Sequence, residues 1–312
     1  MGCASSKAPS NVEAEQAAAK PTGAVEGGSG AAVYGGDVKS DAPKAGVVVK
    51  SFSDADKKMA FGDKVSIDMV MLGSAKCMRA TMQPGTQWRE DVLPAAAKGN
   101  PALVGKSWCP ARHVGMIESG TFEVTMEDGK VEVITGGMAF VIEPGHDFKV
   151  LGDAPVVYLE VESKLTEGLA AGGGTTYATG MEEAEAASLV AKAFEGGADK
   201  TMVFPPNAEE PLGTACVCML GPNAKGMKAS LKPGWTWQEC VKPMLPEAMK
   251  DRTTCPARHV GFVKSGTFHM KHSDGSEFDV KAGECYVCEP DHDAWVVGDE
   301  HVEFFEFEST LK

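Results

Sequence analysis

The sequence contains the same seven residues, Cys-Pro-Ala-Arg-His-Val-Gly, twice, at 109–115 and at 255–261. In each copy they are followed by Ser-Gly-Thr-Phe, an Asp-Gly pair, a lone Gly, a Glu-Pro-x-His-Asp segment and a Val-x-Gly-Asp segment. The stretches 109–163 and 255–309 run at a constant offset of 146 residues without a gap. A repeat this long is typical of a duplicated domain and too long for a solenoid. We therefore predict two similar domains in tandem.

The similarity extends upstream of these stretches. Residues 55–61 are echoed at 198–204, and a Trp-containing segment at 84–88 is echoed at 233–237. The offset changes because one loop is three residues longer in the first copy. The predicted division is an N-terminal tether at 1–50, a first domain at 51–164, a linker at 165–197 and a second domain at 198–312.

Short segments of alternating character fill each copy. Residues 121–127 and 130–134 flank an Asp-Gly pair and predict a β-hairpin, which 269–280 repeats. Apolar runs at 156–161 and 302–307 predict a final strand in each domain. Short strands at regular spacing with glycine-containing turns indicate an all-β fold of two double-layered barrels. Side chains alternate inward and outward in such strands, so a ligand would sit inside the barrel.

The linker is Gly/Thr-rich at 165–180 and then changes character. In the segment 181–194, acidic residues come early, and Leu189, Val190, Ala193 and Phe194 follow at helical spacing. This pattern predicts a short amphipathic helix that packs one barrel against the other.

The N-terminus carries two candidate lipidation residues. Gly2, with Ser6 at the required position, fits the N-myristoylation pattern, and Cys3 is a natural palmitoylation site. Two acyl chains hold a protein on a membrane stably, whereas one does so only marginally. Residues 8–50 have few large apolar groups and predict a disordered tether with a reach of roughly 40 Å. The expected location is the cytoplasmic face of a plasma or ciliary membrane in a eukaryotic cell; an unmodified disordered start, with the protein simply cytoplasmic, is the alternative.

Composition excludes some function classes. The net charge of −14 disfavours nucleic acid as a partner. The nine cysteines come without a secretory signal, which predicts free thiols in a reducing compartment. Cys285 and Cys288 are predicted to lie on opposite faces of one strand, so they cannot share a metal. Cys216 and Cys218 would share a face and are predicted to be core thiols.

The glycine spacing within each copy resembles that of the cupin family. Gly120 and Gly137 in the first copy, and Gly266 and Gly283 in the second, stand at the glycine positions of the two cupin motifs. The chain therefore looks like a bicupin over about 55–163 and 198–309. The resemblance implies two cupin-type double-stranded β-helix (jelly-roll) barrels, each with a metal held by three His and one Glu.

The family's usual ligands are absent from both copies. The Glu position is His113 or His259, and the second His position is Cys109 or Cys255. The metal His of the second motif is Phe148 or Ala294, with a His two residues earlier.

A rearranged metal site is one interpretation of these substitutions. Residues four apart in a strand share a face, and a displacement of two preserves the face. A Cys, His, His set suits Zn²⁺ or another divalent metal such as Fe, Mn or Ni. In the other interpretation, the His bonds to Glu143 or Asp147, and the Arg pairs with a carboxylate. The candidate metal ligands are Cys109, His113 and His146 in the first copy and Cys255, His259 and His292 in the second.

Three functions of different classes fit the sequence. The first is a membrane-tethered bicupin that binds a small molecule, a metal ion or both in its barrels. The second, implied by the resemblance, is a metal-dependent enzyme of the dioxygenase, isomerase or decarboxylase type. The third is a non-catalytic scaffold at a membrane. The expected partners are a membrane leaflet and a small-molecule ligand; catalysis and homo-oligomerisation are left open.

Overall fold

The strands of the protein form two barrels of the same design. The structure, a computed structural model, describes residues 45–163, 187–221 and 224–309. The strands up to the linker are β1 (Val47–Ser51), β2 (Lys57–Phe61), β3 (Val65–Met71), β4 (Ala75–Met82), β5 (His113–Ser119), β6 (Thr121–Met126), β7 (Val131–Thr135), β8 (Met138–Ile142), β9 (His146–Leu151), β10 (Val156–Ser163) and β11 (Leu189–Ala193). Those that follow are β12 (Lys200–Phe204), β13 (Gly213–Met219), β14 (Ala224–Leu231), β15 (His259–Ser265), β16 (Thr267–His272), β17 (Glu277–Lys281), β18 (Glu284–Cys288), β19 (His292–Val297) and β20 (Val302–Ser309).

Each barrel pairs a seven-stranded antiparallel sheet with a three-stranded one. The first barrel has the orders β11-β8-β5-β10-β4-β3-β2 and β7-β6-β9, and the second has β1-β18-β15-β20-β14-β13-β12 and β17-β16-β19. The two predicted jelly-roll barrels are confirmed. Helical segments are short: Phe52–Asp54, Trp88–Val92, Leu93–Gly99, Pro101–Leu103, Phe194–Gly197, Trp237–Cys240, Lys242–Met244 and Glu247–Met249.

The strand that precedes each barrel in sequence belongs to the large sheet of the other barrel. β1, which precedes the first barrel in sequence, pairs with β18 of the second barrel. β11, just before the second barrel in sequence, pairs with β8 of the first. Residues 47–50, which the sequence placed in the disordered tether, therefore belong to a sheet, and the linker contributes a strand to the first barrel.

The predicted connecting helix is wrong where the structure describes it. Leu189–Ala193 is a strand, and residues 181–186 of the predicted helix lie outside the described residues. Leu189 packs into the core of the first barrel, whereas Val190 packs against the interface between the barrels. A five-residue apolar run fits either one face of a helix or both faces of a strand. Here the run forms a strand because it pairs with the open edge of β8.

Three apolar cores hold the fold together. One fills each barrel, and the third lies between the outer faces of the two large sheets. In this inter-barrel core the ring of Phe305 lies 5.4 Å from that of Phe194 and stacks on Phe262 at 5.2 Å. Cys285 belongs to the inter-barrel core and Cys288 to the core of the second barrel, which confirms that they face opposite ways.

The glycine of the repeated seven-residue motif permits a close approach of two strands. A Cβ on Gly115 would lie 1.9 Å from the backbone oxygen of Leu159, and one on Gly261 would lie 2.1 Å from that of Phe305. Any side chain there would push the central strand of the large sheet away from its neighbour. The eight described cysteines are free thiols. Among the described residues, no helix is both long and apolar enough to span a membrane.

Candidate metal centre

In each barrel the three candidate ligands lie where two strands begin. His113 begins β5 and His146 begins β9. Cys109 precedes β5 and is joined to β9 by two backbone hydrogen bonds: its N–H donates to His146 O (2.7 Å), and Gly145 N–H donates to its carbonyl (2.8 Å). Cys255 and His292 repeat the first of these bonds at 2.7 Å.

The ligand atoms of Cys109, His113 and His146 lie within 4.8 Å of one another, as do those of Cys255, His259 and His292. Cys109 Sγ is 3.7 Å from His113 Nε2, and Cys255 Sγ is 3.5 Å from His259 Nε2. The cysteines and the second histidines are buried, and the first histidines are partly so. The structure thus brings together all six residues that the sequence singled out, in two sets of three.

These distances fit a tetrahedral metal site. Zn–S bonds of about 2.3 Å and Zn–N bonds of about 2.05 Å at a tetrahedral angle place the sulfur and nitrogen about 3.6 Å apart. The observed separations lie on either side of this value. Three protein donors also leave a fourth position for water or a ligand, as in catalytic zinc sites.

Hydrogen bonds at the other ring nitrogen orient each histidine. His113 Nδ1 is 2.9 Å from Glu160 Oε1, and His259 Nδ1 is 2.8 Å from Glu306 Oε2. His146 Nδ1 donates to the carbonyl of Glu143 at 2.8 Å. With Nδ1 occupied, Nε2 is the nitrogen that faces the cluster. Histidines that bind metals are usually held in this way, by a carboxylate or a backbone carbonyl.

Charge is distributed unevenly within each set. Burial lowers the pKa of His113, but the Glu160 carboxylate and Cys109 outweigh it and raise the pKa to about 10. Burial, together with the charge on His113, lowers the pKa of His146 to about 3. Burial raises the pKa of Cys255, but hydrogen bonds from His259 and His292 bring it down to about 6. Without a metal, each set therefore holds one cationic imidazole beside a carboxylate, and in the second set this imidazole also lies beside a thiolate at neutral pH.

Sequence reasoning missed the carboxylates on the last strands. Glu160 (β10) and Glu306 (β20) lie 47 residues after the histidines they contact. They recur at the repeat offset of 146 residues in the final strand of each barrel, and that signal could have identified them. Lys76 and Lys225, also missed, pair with Glu162 (2.5 Å) and Glu308 (2.9 Å) close to the two sites.

The repeated arginine does pair with a carboxylate, as one interpretation expected. Arg112 Nε donates to Glu143 Oε1 at 2.8 Å, and Arg258 Nε donates to Glu289 Oε1 at 3.0 Å. Arg258 also donates to Ser74 Oγ of the first barrel at 2.5 Å, which links the second site to the barrel interface.

The two sets differ in the hydrogen bonding of the second oxygen of the carboxylate that contacts the histidine. The hydroxyl of Tyr286 donates to Glu306 Oε1 at 2.6 Å, so both oxygens of Glu306 are occupied. The corresponding residue in the first barrel is Phe140. Glu160 Oε2 is consequently buried without a hydrogen-bond partner among the described residues.

Comparison with known proteins shows the fold. No family model matches the sequence, and no curated protein sequence matches it either. Solved structures do match: AerE from Microcystis aeruginosa (9% identity, 82% of this chain and 98% of that chain, TM-score 0.50), a putative glyoxylate-induced protein from Pseudomonas aeruginosa (11%, 85% and 89%, 0.54) and the formate complex of oxalate decarboxylase from Lactobacillus farciminis (16%, 84% and 86%, 0.50).

Each of these matches covers most of both chains, so the likeness extends over both barrels. At such low identity it concerns the fold, not the activity. The protein has the duplicated cupin fold, that of a bicupin. Within this fold it carries Cys, His, His sets in place of the usual ligands.

Proposed function

We propose that each barrel binds one divalent metal ion and that the protein binds a small molecule in its barrels. The observation that carries the metal assignment is the convergence, in each set, of one cysteine and two histidines whose ligand atoms lie within 4.8 Å of one another. Zinc fits best because a thiolate and two imidazoles suit a borderline-soft ion. A bound zinc ion supplies Lewis acidity. Cys255, His259 and His292 would hold it in the second barrel, and Cys109, His113 and His146 in the first.

Elemental analysis of the purified full-length protein tests this assignment. After growth with zinc, we expect about two zinc ions per chain, one for each set. His113→Ala and His259→Ala should each remove about one equivalent, and the double variant both, while circular dichroism shows the fold intact. His301→Ala is the matched control because His301 is exposed and outside both sets. A wild-type protein that stays metal-free after supplementation contradicts the proposal.

A second function is favoured by the order of groups around each cysteine. The imidazole of His259 connects a thiol to a carboxylate: its Nε2 lies 3.5 Å from Cys255 Sγ, and its Nδ1 lies 2.8 Å from Glu306 Oε2. A nucleophile, a base and an orienting carboxylate in this order make a reactive thiolate. Alkylation with iodoacetamide separates the two functions. A metal site predicts protection of Cys255 by zinc, whereas a dedicated nucleophile predicts equal modification with and without zinc.

The same measurements distinguish between the enzyme and scaffold alternatives. A dioxygenase, isomerase or decarboxylase requires a bound metal and a reachable interior. A scaffold requires barrels filled by their own side chains. Aromatic packing in the first barrel, where Phe122 lies 5.9 Å from Phe148 and 6.1 Å from Tyr158, favours a structural role for that barrel.

We also propose that Gly2 and Cys3 are acylated, so that the barrels sit at the cytoplasmic face of a membrane. The support is the sequence pattern at the N-terminus. Metabolic labelling with alkyne-tagged myristate and palmitate in eukaryotic cells tests it. Gly2→Ala should abolish both labels and membrane recovery, whereas Cys3→Ser should remove only the palmitate. Absence of label on the wild-type protein overturns the proposal.

A further inference from the structure

Glu289 connects the candidate metal centre of the second barrel to β1, the strand that precedes the first barrel. Its backbone carbonyl accepts a hydrogen bond from His292 Nδ1 at 2.6 Å. A carbonyl only accepts, so Nδ1 carries the proton and Nε2 is the nitrogen that can bind a metal. The N–H of Glu289 donates to the carbonyl of Gly46, the residue before β1, at 2.8 Å. The two backbone polar groups of one residue thus join His292 to β1.

The side chain of Glu289 is held from the first barrel. Its two oxygens accept hydrogen bonds from Arg258 Nε, at 3.0 and 3.1 Å. The hydroxyl of Ser74, which lies between β3 and β4, accepts from Arg258 at 2.5 Å and donates to Glu289 Oε1 at 3.3 Å. Ser74 and Arg258 are both buried. The residue that orients His292 is therefore fixed by groups that belong to neither strand of its own site.

Gly46 has no room for a side chain. A Cβ at this position would lie 1.9 Å from Nδ1 of the His272 ring. His272 Nε2 donates to the carbonyl of Pro290 at 2.7 Å, and the N–H of Gly46 donates to Asp274 at 2.7 Å. A larger residue at position 46 must therefore move the start of β1 away from this segment and from the N–H of Glu289.

The first barrel has the same construction. The carbonyl of Glu143 accepts from His146 Nδ1 at 2.8 Å. The N–H of Glu143 donates at 2.9 Å to the carbonyl of Ser188, the residue before β11. Ser188 stands where the second barrel has Gly46, because β11 pairs with β8 in the register in which β1 pairs with β18. We call β1 and β11 the exchanged strands. In each barrel an exchanged strand holds the glutamate that orients a candidate ligand.

We propose that the exchanged strands set the metal affinity of the barrels, with Glu143 and Glu289 as positioning residues; this inference rests on the metal binding proposed above. Partners that orient a metal-binding histidine contribute about ten- to a hundredfold in affinity. Detachment of β1 removes the acceptor for the N–H of Glu289, so it weakens the second centre and leaves the first unchanged. By linkage, zinc in the second centre strengthens the attachment of β1 by the same factor.

Zinc titrations against a competing chelator test the inference one centre at a time, in the full-length protein. With His113→Ala in the background, only the second set remains. Gly46→Ala and Ser74→Ala should then each weaken zinc binding about tenfold. With His259→Ala in the background, the same two substitutions should leave the first centre unchanged. Gly197→Ala, whose Cβ would meet no atom closer than 3.4 Å, and Ser66→Ala, at an exposed position, are the matched controls.

Two further measurements separate positioning from a general loss of stability. Val302→Ala shortens a buried side chain at the start of β20 and should lower the free energy of unfolding without changing the zinc affinity of the second centre. Zinc should also slow hydrogen exchange of the β1 amides about tenfold in the wild type, by the linkage stated above. It should have no such effect in His259→Ala.

Nitrogen-15 NMR of the histidine rings reports the orientation of His292 in the metal-free protein. The wild type should show the Nδ1–H tautomer, and Gly46→Ala a mixture of both tautomers. Wild-type zinc affinity in Gly46→Ala overturns the inference; if this variant does not fold, Ser74→Ala decides. A protein that takes up no zinc contradicts the metal assignment, and the tautomer then decides. A changed tautomer in Gly46→Ala supports the positioning role, and an unchanged one overturns it.

Discussion

Val48, at the beginning of the described chain, lies directly opposite Val287 in the second barrel. The β1 strand that contains Val48 forms the edge of that barrel's large sheet, and Val47 is 1% exposed. The second barrel therefore depends on residues that precede the first barrel in sequence.

Removal of β1 should destabilise the second barrel selectively. A variant that lacks residues 1–52 loses the β1–β18 ladder and the buried Val47, which alone contributes about 2 kcal/mol. We expect hydrogen exchange to accelerate in β18 and β15 and to change little in β6 and β7 of the first barrel. A variant that lacks residues 1–44 keeps β1 and should retain wild-type stability. Equal protection of β18 in both truncations would show that β1 is dispensable.

The attachment of β1 should also weaken in acid. The Asp274 carboxylate accepts hydrogen bonds from the hydroxyl and N–H of Ser276 and from Gly46 N–H (2.7 Å), which hold its pKa well below the usual range. A depressed pKa means that its stabilisation is fully present above the unfolded value, about 3.9, and is lost as pH falls further. Protection of the β1 amides should therefore fall below about pH 4 in the wild type. In Asp274→Ala the protection of the β1 amides should be lower already at neutral pH and should depend less on acid. An identical pH dependence of this protection in both proteins argues against the attachment.

Exchange of Phe140 and Tyr286 should shift stability in opposite directions. Phe140→Tyr supplies a donor for the buried Glu160 Oε2 and should stabilise the protein by about 1 kcal/mol. Tyr286→Phe leaves Glu306 Oε1 without its 2.6 Å partner and should cost about 1–3 kcal/mol. Chemical denaturation followed by circular dichroism measures both changes. Destabilisation by Phe140→Tyr as large as that by Tyr286→Phe would show that Glu160 Oε2 cannot be reached from this position.

The sequence predicts the barrels, and it singles out Cys109, His113 and His146 because they recur in the duplicated motif. The strand period of two does not account for Cys109, which precedes β5 and is held beside His146 by a backbone bridge. The sequence does not predict that Leu189–Ala193 is a strand of the first barrel, since this pairing depends on the open edge of β8. Glu160 was missed for a related reason. Its contact with His113 spans 47 residues and exists only after the sheet has closed.

Zinc binding should release protons, and its strength should rise with pH. The pKa of His113 is about 10, so the metal-free site carries a proton on this imidazole at neutral pH, and that proton must leave before Nε2 can bind a metal. Between about pH 6 and pH 8, each released proton raises the apparent zinc affinity about tenfold per pH unit. Cys255, with a pKa of about 6, is already a thiolate over most of this range, so the proton released from the second site comes from His259, whose pKa lies well above its usual value. Calorimetry in two buffers of different ionisation enthalpy measures the number of protons. About one proton is expected from the second site, and at least one from the first. A heat of binding that is independent of the buffer would show that the imidazoles are neutral before the metal binds.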